Sequence, residues 1–322
     1  MSKRVLLPEA IHPRGLAFLL DNGYEVKQGT GISEDVVAWE AADCDAILTR
    51  NAVISERVMR AAGRLKVVAM HGVGVDLIDV QAATRLGIQV VNAKDSNKLA
   101  VAEFTVGLMI ALSRNVLLYD KALRAGNWKI RHTLGMDLEG RTLGIIGMGA
   151  IGSLVAHKAV LGLGMKVIAH KRDLTGAKPM AGVVYTGDMD EVIREADFLS
   201  LHVPSTPETK ALIGRRELAL MKPGAFLINT ARGEVVDNKA LYEALRDQKI
   251  AGAALDVFPG EVPDQSDPLL GLQNVILTPH AAAFTEQSVA RMSLFAAAGI
   301  HEVLSGQMPT RPVNTLMQAV MA

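Results

Sequence analysis

The chain has 322 residues, of which 49% are hydrophobic, with 34 lysine plus arginine balanced by 34 aspartate plus glutamate. That length fits two domains of ordinary size, and the charge balance speaks against a nucleic-acid or membrane partner held by bulk charge. The single cysteine, Cys44, excludes an intrachain disulfide and a multi-thiolate metal site. It suits a reducing compartment, so a cytoplasmic protein with no bound metal is expected. The basic pair Lys3 and Arg4 precedes an apolar run of only three residues, too short for a secretory signal.

From the start to about residue 92, strands and helices alternate. Strands are expected over 5–7, 24–26, 46–49, 66–70 and 88–91, with helices over 13–22, after the caps Ser33 and Ser55, and over 79–87. Such alternation predicts a small doubly wound α/β unit with ligands beyond the carboxyl ends of its strands. Arg50 and Asn51 follow the third strand, and the loop His71-Gly72-Val73-Gly74-Val75-Asp76 follows the fourth. Its glycines can offer N–H groups to an anion, and a plain turn explains them equally well. Residues 99–125 read as one long helix, apolar on several faces through Phe104, Leu108, Met109, Leu112, Val116 and Leu117. A helix of that kind is buried between domains or against another subunit, and Glu103 within it argues against a membrane span.

The stretch over 142–152 organises the rest. An apolar run over 142–146 reads as a buried parallel strand, and Gly147, Gly149 and Gly152 follow it with G-x-G-x-x-G spacing at the head of a helix expected over 153–163. In that context Gly147 permits a tight turn, Gly149 lets backbone approach a pyrophosphate, and Gly152 lets helix pack on strand. Ala150 and Ile151 complete the cofactor-binding turn, where the phosphate meets free helix N–H groups. A second strand over 166–170 runs into Lys171 and Arg172. Strands over 197–202, 225–229, 251–255 and 275–278 then deliver polar groups to one edge: His202 with Val203 and Pro204, Thr230 and Ala231 with Arg232, Asp256, and His280. A last helix over 285–305 precedes an irregular tail.

An arginine, a histidine and a carboxylate beside a nicotinamide suit hydride transfer to a carbonyl. Arg232 can grip a carboxylate with its planar fork, His280 can give or take the proton, and Glu261 can favour the charged ring. Each has a plainer explanation, as a surface ion pair, a loop-end hydrogen bonder and a solvated carboxylate. Their joint placement favours the catalytic one.

The runs over 147–152, 196–202, 221–225, 228–233 and 254–258 resemble the D-isomer-specific 2-hydroxyacid dehydrogenases, a group that includes glyoxylate/hydroxypyruvate reductases and phosphoglycerate dehydrogenases. The resemblance implies an α/β fold of two doubly wound parallel-sheet domains. A Rossmann cofactor domain over 99–286 would be inserted in a flavodoxin-like substrate domain made of 1–98 and 287–322. The family's Arg, Glu and His fall on Arg232, Glu261 and His280, and its substrate-carboxylate loop on Val73 and Gly74. Arg50, from its place after the third strand, is expected as a further substrate contact. A homodimer around the long helix is also implied. Where NAD-using relatives carry an acid after the second cofactor strand, this chain has Lys171 and Arg172, which suit a 2′-phosphate. Asp173 is a rival at that place, and Ala150 replaces an arginine common in the fingerprint. The expectation is an NADP-preferring reductase of small 2-oxo acids, with NAD possible. An NAD-dependent D-2-hydroxyacid or phosphoglycerate dehydrogenase is one alternative, and a non-catalytic nucleotide-sensing protein of the same fold another. Glu261 argues against formate dehydrogenase, which has glutamine there.

Overall fold

The computed structural model describes residues 2–174, 179–260 and 262–316. The chain forms two units: the first comprises the chain up to Asn97 together with the chain from Phe284 onward, and the second is Lys98–Ala283.

The first unit is built on five parallel strands, β1 (Arg4–Leu7), β2 (Glu25–Gln28), β3 (Ala46–Thr49), β4 (Val67–Met70) and β5 (Gln89–Asn92), in the order β2-β1-β3-β4-β5. This is the flavodoxin-like order. Helices α1 (Pro13–Asp21), α2 (Glu34–Glu40), α3 (Glu56–Ala61) and α4 (Val80–Arg85) connect the strands. Alternate strand residues face opposite ways. Val5, Leu7, Leu48 and Val67 pack with Leu19 of α1 and with Ala296 and Ile300 of the last helix, Glu286–Leu304. Leu6, Ile47, Val68 and Val90 pack against α2, α3 and α4 through Val37, Val58 and Ala82. Both faces are covered, which is why the strands read as unbroken apolar runs.

The tail after the last helix is more ordered than expected. Pro312 forms an antiparallel bridge with Val91, and the Val313 N–H donates to the Val90 carbonyl at 2.9 Å. The buried Asn314 side chain accepts from the Val90 N–H at 2.7 Å and from Gln89 Nε2 at 2.8 Å. These bonds cover the free edge of β5, an edge that would otherwise be a template for other chains.

The second unit carries seven parallel strands: β6 (Thr142–Ile146), β7 (Lys166–His170), β8 (Val183–Thr186), β9 (Phe198–Leu201), β10 (Phe226–Asn229), β11 (Gly252–Leu255) and β12 (Val275–Leu277). Their order is β12-β11-β10-β9-β6-β7-β8. Counted from β6, this is the Rossmann order with one strand added. Its helices are α5 (Lys98–Ser113), α6 (Val116–Arg124), α7 (Ala150–Leu163), α8 (Met189–Glu195), α9 (Arg215–Leu220) and α10 (Asn238–Arg246). Leu143, Ile145, Val167 and Ile228 face α5 and α7 through Met109 and Val155. Ile146, Leu199, Leu227 and Leu255 face α8, α9 and α10 through Val192, Leu218 and Leu241.

The helix expected over 99–125 is two helices, α5 and α6, bent by 61°. The break falls at Asn115, whose φ is +54°. Asparagine tolerates this left-handed region better than other residues with a side chain, glycine aside, and its Nδ2 donates to the Leu134 carbonyl at 3.1 Å. Beyond the break α6 has no buried residue, and Val116, Leu117 and Leu123 stand about half exposed.

Candidate functional site

The chain leaves β6 at the point where the strand order of the second sheet reverses, between β9 and β7. Gly147 makes that exit with φ +103°. A Cβ at Gly147 would strike the His202 carbonyl and lie 2.9 Å from Val203 Cγ1, so the loop after β9 presses directly on the glycine turn. A Cβ at Gly152 would strike the Gly147 carbonyl and lie 3.3 Å from Ile145 Cγ2. Both glycines are required by packing. Gly149 is different: a Cβ there meets nothing within 4 Å. Gly149 is also the N-cap of α7, which starts without a side-chain cap. The first N–H groups of α7, those of Ala150 and Ile151 included, have no acceptor among the described residues, and they lie at the positive end of its dipole. An open glycine backed by such donors fits the pyrophosphate of a dinucleotide.

Around this turn the edge is firmly tied. The His202 N–H donates to Ile146 O at 2.8 Å, and its Nε2 meets Ser200 Oγ at 2.9 Å. Burial pushes the His202 ring down to about 4, so it is neutral at pH 7. Pro204 accepts from Thr209 Oγ1 at 2.6 Å. After β7, the Lys171 N–H donates to Thr186 O at 3.0 Å, while Arg172 and Asp173 are exposed. Burial lowers the pKa of His170, and the nearby Arg172 charge lowers it further.

Two further loops carry the polar groups of β10 and β11. Asn229, buried at the end of β10, donates through Nδ2 to Arg232 O at 2.8 Å and accepts from the Ala231 N–H at 3.0 Å. This side chain closes the Thr230–Arg232 turn at both ends. Thr230 Oγ1 meets Thr105 Oγ1 at 2.9 Å, and Arg232 Nη1 donates to Ala231 O at 2.7 Å. A Cβ at Gly233 would strike the backbone of Phe258 and Pro259, so the arginine turn lies hard against the segment that follows β11. Glu261 lies outside the described residues.

Asp256, expected at the cofactor, is fully buried, and its carboxylate is engaged by the protein itself. It accepts from Thr278 Oγ1 at 2.6 Å, the Ala281 N–H at 2.8 Å and the Ala282 N–H at 2.9 Å. Its backbone carbonyl accepts from the His280 N–H at 2.7 Å. His280 has φ +52°, a conformation that costs about 1–3 kcal/mol and persists only when its surroundings impose it. Asp256 is the group that imposes it. The anchoring roles of Asn229 and Asp256 were not anticipated. An Asx turn closing Asn-Thr-Ala-Arg is a signal that could have revealed the first.

The first unit presents its own carboxyl edge. Glu9, after β1, accepts from the Arg50 N–H at 3.2 Å and the Asn51 N–H at 2.6 Å. Arg50 Nη1 donates to Ala10 O at 3.1 Å. After β4, the loop is held by the His71 N–H on Thr49 O, the Ala93 N–H on Gly72 O and Asn92 Nδ2 on Val73 O, at 2.8, 2.7 and 2.7 Å. Among the described residues the Val73 and Gly74 N–H groups have no acceptor. His71 is 8% exposed, and burial, followed by the Arg50 charge, pushes its ring down to about 4.

Residues 106–282 match the family model described as "D-isomer specific 2-hydroxyacid dehydrogenase, NAD binding domain". The chain is 41% identical over 315 residues to the D-3-phosphoglycerate dehydrogenase of Methanocaldococcus jannaschii, covering 97% of this chain and 59% of that protein. It thus spans well under two thirds of that relative. It is 39% identical over 326 residues to the glyoxylate reductase of Korarchaeum cryptofilum, covering 98% of this chain and 96% of the relative. The NADPH-dependent glyoxylate/hydroxypyruvate reductase of Sinorhizobium meliloti, solved in complex with NADP and malonate, superposes with a TM-score of 0.87 at 30% identity, covering 99% of this chain and 100% of the other. Matching over both of its sheets, the chain belongs to the D-isomer specific 2-hydroxyacid dehydrogenase family.

Proposed function

We propose that the protein is an NADPH-preferring reductase of small 2-oxo acids, glyoxylate and hydroxypyruvate being the best-fitting candidates. The observation that carries this reading is the presence, on one sheet edge, of an open glycine turn together with Arg232 and His280 on anchored loops. Gly147, Gly149, Ala150, Ile151 and Gly152 would hold the pyrophosphate, with His202, Val203, Pro204, Thr230, Ala231 and Asp256 along the same edge. Lys171 and Arg172 would meet a 2′-phosphate through charge-assisted hydrogen bonds.

When bound, the nicotinamide supplies a hydride to the carbonyl carbon or takes one from the hydroxy acid. Arg232 grips the substrate carboxylate and polarises the neighbouring carbonyl oxygen. His280, charged, gives that oxygen its proton in reduction; neutral, it removes the hydroxyl proton in oxidation. Glu261, by its resemblance to the family's acid, favours the charged ring. In the first unit, the unengaged Val73 and Gly74 N–H groups are donors for a carboxylate, with Arg50 a further cation on that edge. The half-exposed apolar residues of α6 support a homodimer, and light scattering that returns a stable 34.4 kDa monomer would contradict it.

The Methanocaldococcus relative favours a second reading, oxidation of 3-phosphoglycerate. Turnover measured over a panel of glyoxylate, hydroxypyruvate, pyruvate and 3-phosphohydroxypyruvate, with NADPH and with NADH, separates the two. Higher kcat/KM for an unphosphorylated acid with NADPH is expected. A preference for the phosphorylated acid or for NADH overturns the corresponding half of the proposal.

A further inference from the structure

In the loop after β4 the Val73 and Gly74 N–H groups have no acceptor among the described residues, and the cause lies in the strand beside it. In a trans peptide unit the carbonyl and the following N–H point in opposite directions, and the described chain has no cis peptide bond. Whatever holds the Gly72 carbonyl therefore aims the Val73 N–H the other way. Whatever holds the Val73 carbonyl does the same for the Gly74 N–H. Both holders come from the exit of β5: the Ala93 N–H donates to Gly72 O at 2.7 Å, and Asn92 Nδ2 donates to Val73 O at 2.7 Å. Two successive N–H groups thus face away from that exit, in a stretch that is partly exposed. Consecutive N–H groups turned to one side form a concavity for an anion.

The first of these bonds is backbone to backbone, and the second depends on one side chain. Asn92 ends β5 in register with Met70 of β4, and its own N–H donates to Arg311 O at 3.3 Å. From that fixed place its amide spans two groups, donating to Val73 O and accepting from the Lys94 N–H at 3.1 Å. The two partners require a donor and an acceptor on one planar head. Aspartate has no N–H to give, and serine is one bond shorter. We infer that Asn92 is a positioning residue: by holding the Val73 carbonyl it turns the Gly74 N–H outward and completes a two-donor cradle for the carboxylate of a small 2-oxo acid. The inference rests on the proposed function for the identity of the anion, and it concerns the first unit alone.

Oxamate carries a carboxylate next to an amide carbonyl that resists hydride, so its binding to the full chain can be followed without turnover. With NADPH present, backbone amide resonances report each N–H separately. In the wild type the Val73 and Gly74 amide protons should move downfield together as oxamate is added. Asn92→Ala frees the Val73 carbonyl and should weaken oxamate binding about tenfold, with the Gly74 response lost. Asn92→Ser keeps an acceptor for the Lys94 N–H without reaching Val73, and should behave as the alanine variant does. Unchanged amide resonances across β1 and β3 identify a folded first unit in each variant. A serine variant that binds oxamate like the wild type shows that only the Lys94 contact matters and overturns the inference. A wild type whose two amides ignore oxamate overturns it without any variant. Glyoxylate turnover on the same wild-type sample separates the two readings: turnover with silent amides overturns the inference alone, and silent amides without turnover contradict the proposed function as well.

Discussion

The two units have sheets wound on the same principle, and the same feature, a strand exit where the order reverses, is treated in opposite ways. In the second unit the exit from β6 is a glycine turn with open space at Gly149 and an uncapped helix behind it. In the first, the reversal lies between β1 and β3, and the chain fills it with its own carboxylate. Glu9 takes the Arg50 and Asn51 N–H groups that an outside anion would need. One edge has been left as a receptor and the other closed as structure. In the closed unit, the unengaged polar groups lie one loop further along, after β4. Architecture therefore says where ligands can go, and the satisfaction of backbone donors says which positions remain available.

The largest effect should come from the groups of the second unit proposed to react. His280→Ala removes the proposed proton carrier and should lower kcat about 100- to 10,000-fold. Arg232→Lys keeps the charge but loses the fork, and we expect kcat/KM to fall on the order of a hundredfold while NADPH affinity stays within about twofold. Steady-state kinetics beside a direct NADPH titration checks both. An arginine-to-lysine variant with wild-type kcat/KM would remove Arg232 from the substrate.

The edges also share a feature, a buried neutral histidine in each, and pH exposes it. His71 and His202 titrate natively near 4, against 6.5 for a free ring. Between those values the unfolded chain binds protons that the native rings refuse, so native stability is full above about pH 6.5 and is lost as the pH falls towards 4. The slope should be about 1.4 kcal/mol per pH unit for each histidine in the steep part of that window. Urea midpoints measured from pH 7 to pH 5 should decline, and His71→Phe should make the decline shallower. A midpoint constant over that range would show that neither ring is held neutral by burial.

A smaller effect tests the closed edge. Glu9→Ala strips two N–H groups of their acceptor near the surface, where water replaces part of the loss, so about 1 kcal/mol of stability should go. Chemical denaturation reads this directly. A variant as stable as the wild type would mean that the carboxylate does not hold the Arg50 loop.

Much of this arrangement could be read from the sequence, for a physical reason. Strands buried on both faces are unbroken apolar runs bounded by turn residues, so β3, β6 and β7 lie on the residues expected, 46–49, 142–146 and 166–170. The break at Asn115 was hidden because the apolar pattern continues across it through Val116 and Leu117, while a single left-handed residue leaves no periodic trace. β8 was missed because an edge strand is half exposed and lacks an apolar run. The tail's pairing with β5 depends on Asn314 meeting a strand more than two hundred residues earlier, which no local signal encodes. At the site, glycine spacing marked the turn, but not that Gly147 and Gly152 answer to packing while Gly149 does not. Likewise Asp256 could be placed at a strand end, but not its bonds to the two N–H groups that follow His280.

The most direct test of the account is NADPH binding, followed by calorimetry, to the wild type and to Gly149→Asp. A side chain at Gly149 meets no protein atom within 4 Å and its φ of −82° suits any residue. Aspartate is moreover a favourable N-cap, so the urea midpoint should hold or rise slightly. Its charge, however, would stand where the pyrophosphate is expected. The account predicts that the folded variant loses NADPH binding by at least about a hundredfold, a penalty of roughly 2.7 kcal/mol, while the wild type binds. A Gly149→Asp protein that binds NADPH as tightly as the wild type would show that the open glycine turn is not where the dinucleotide sits.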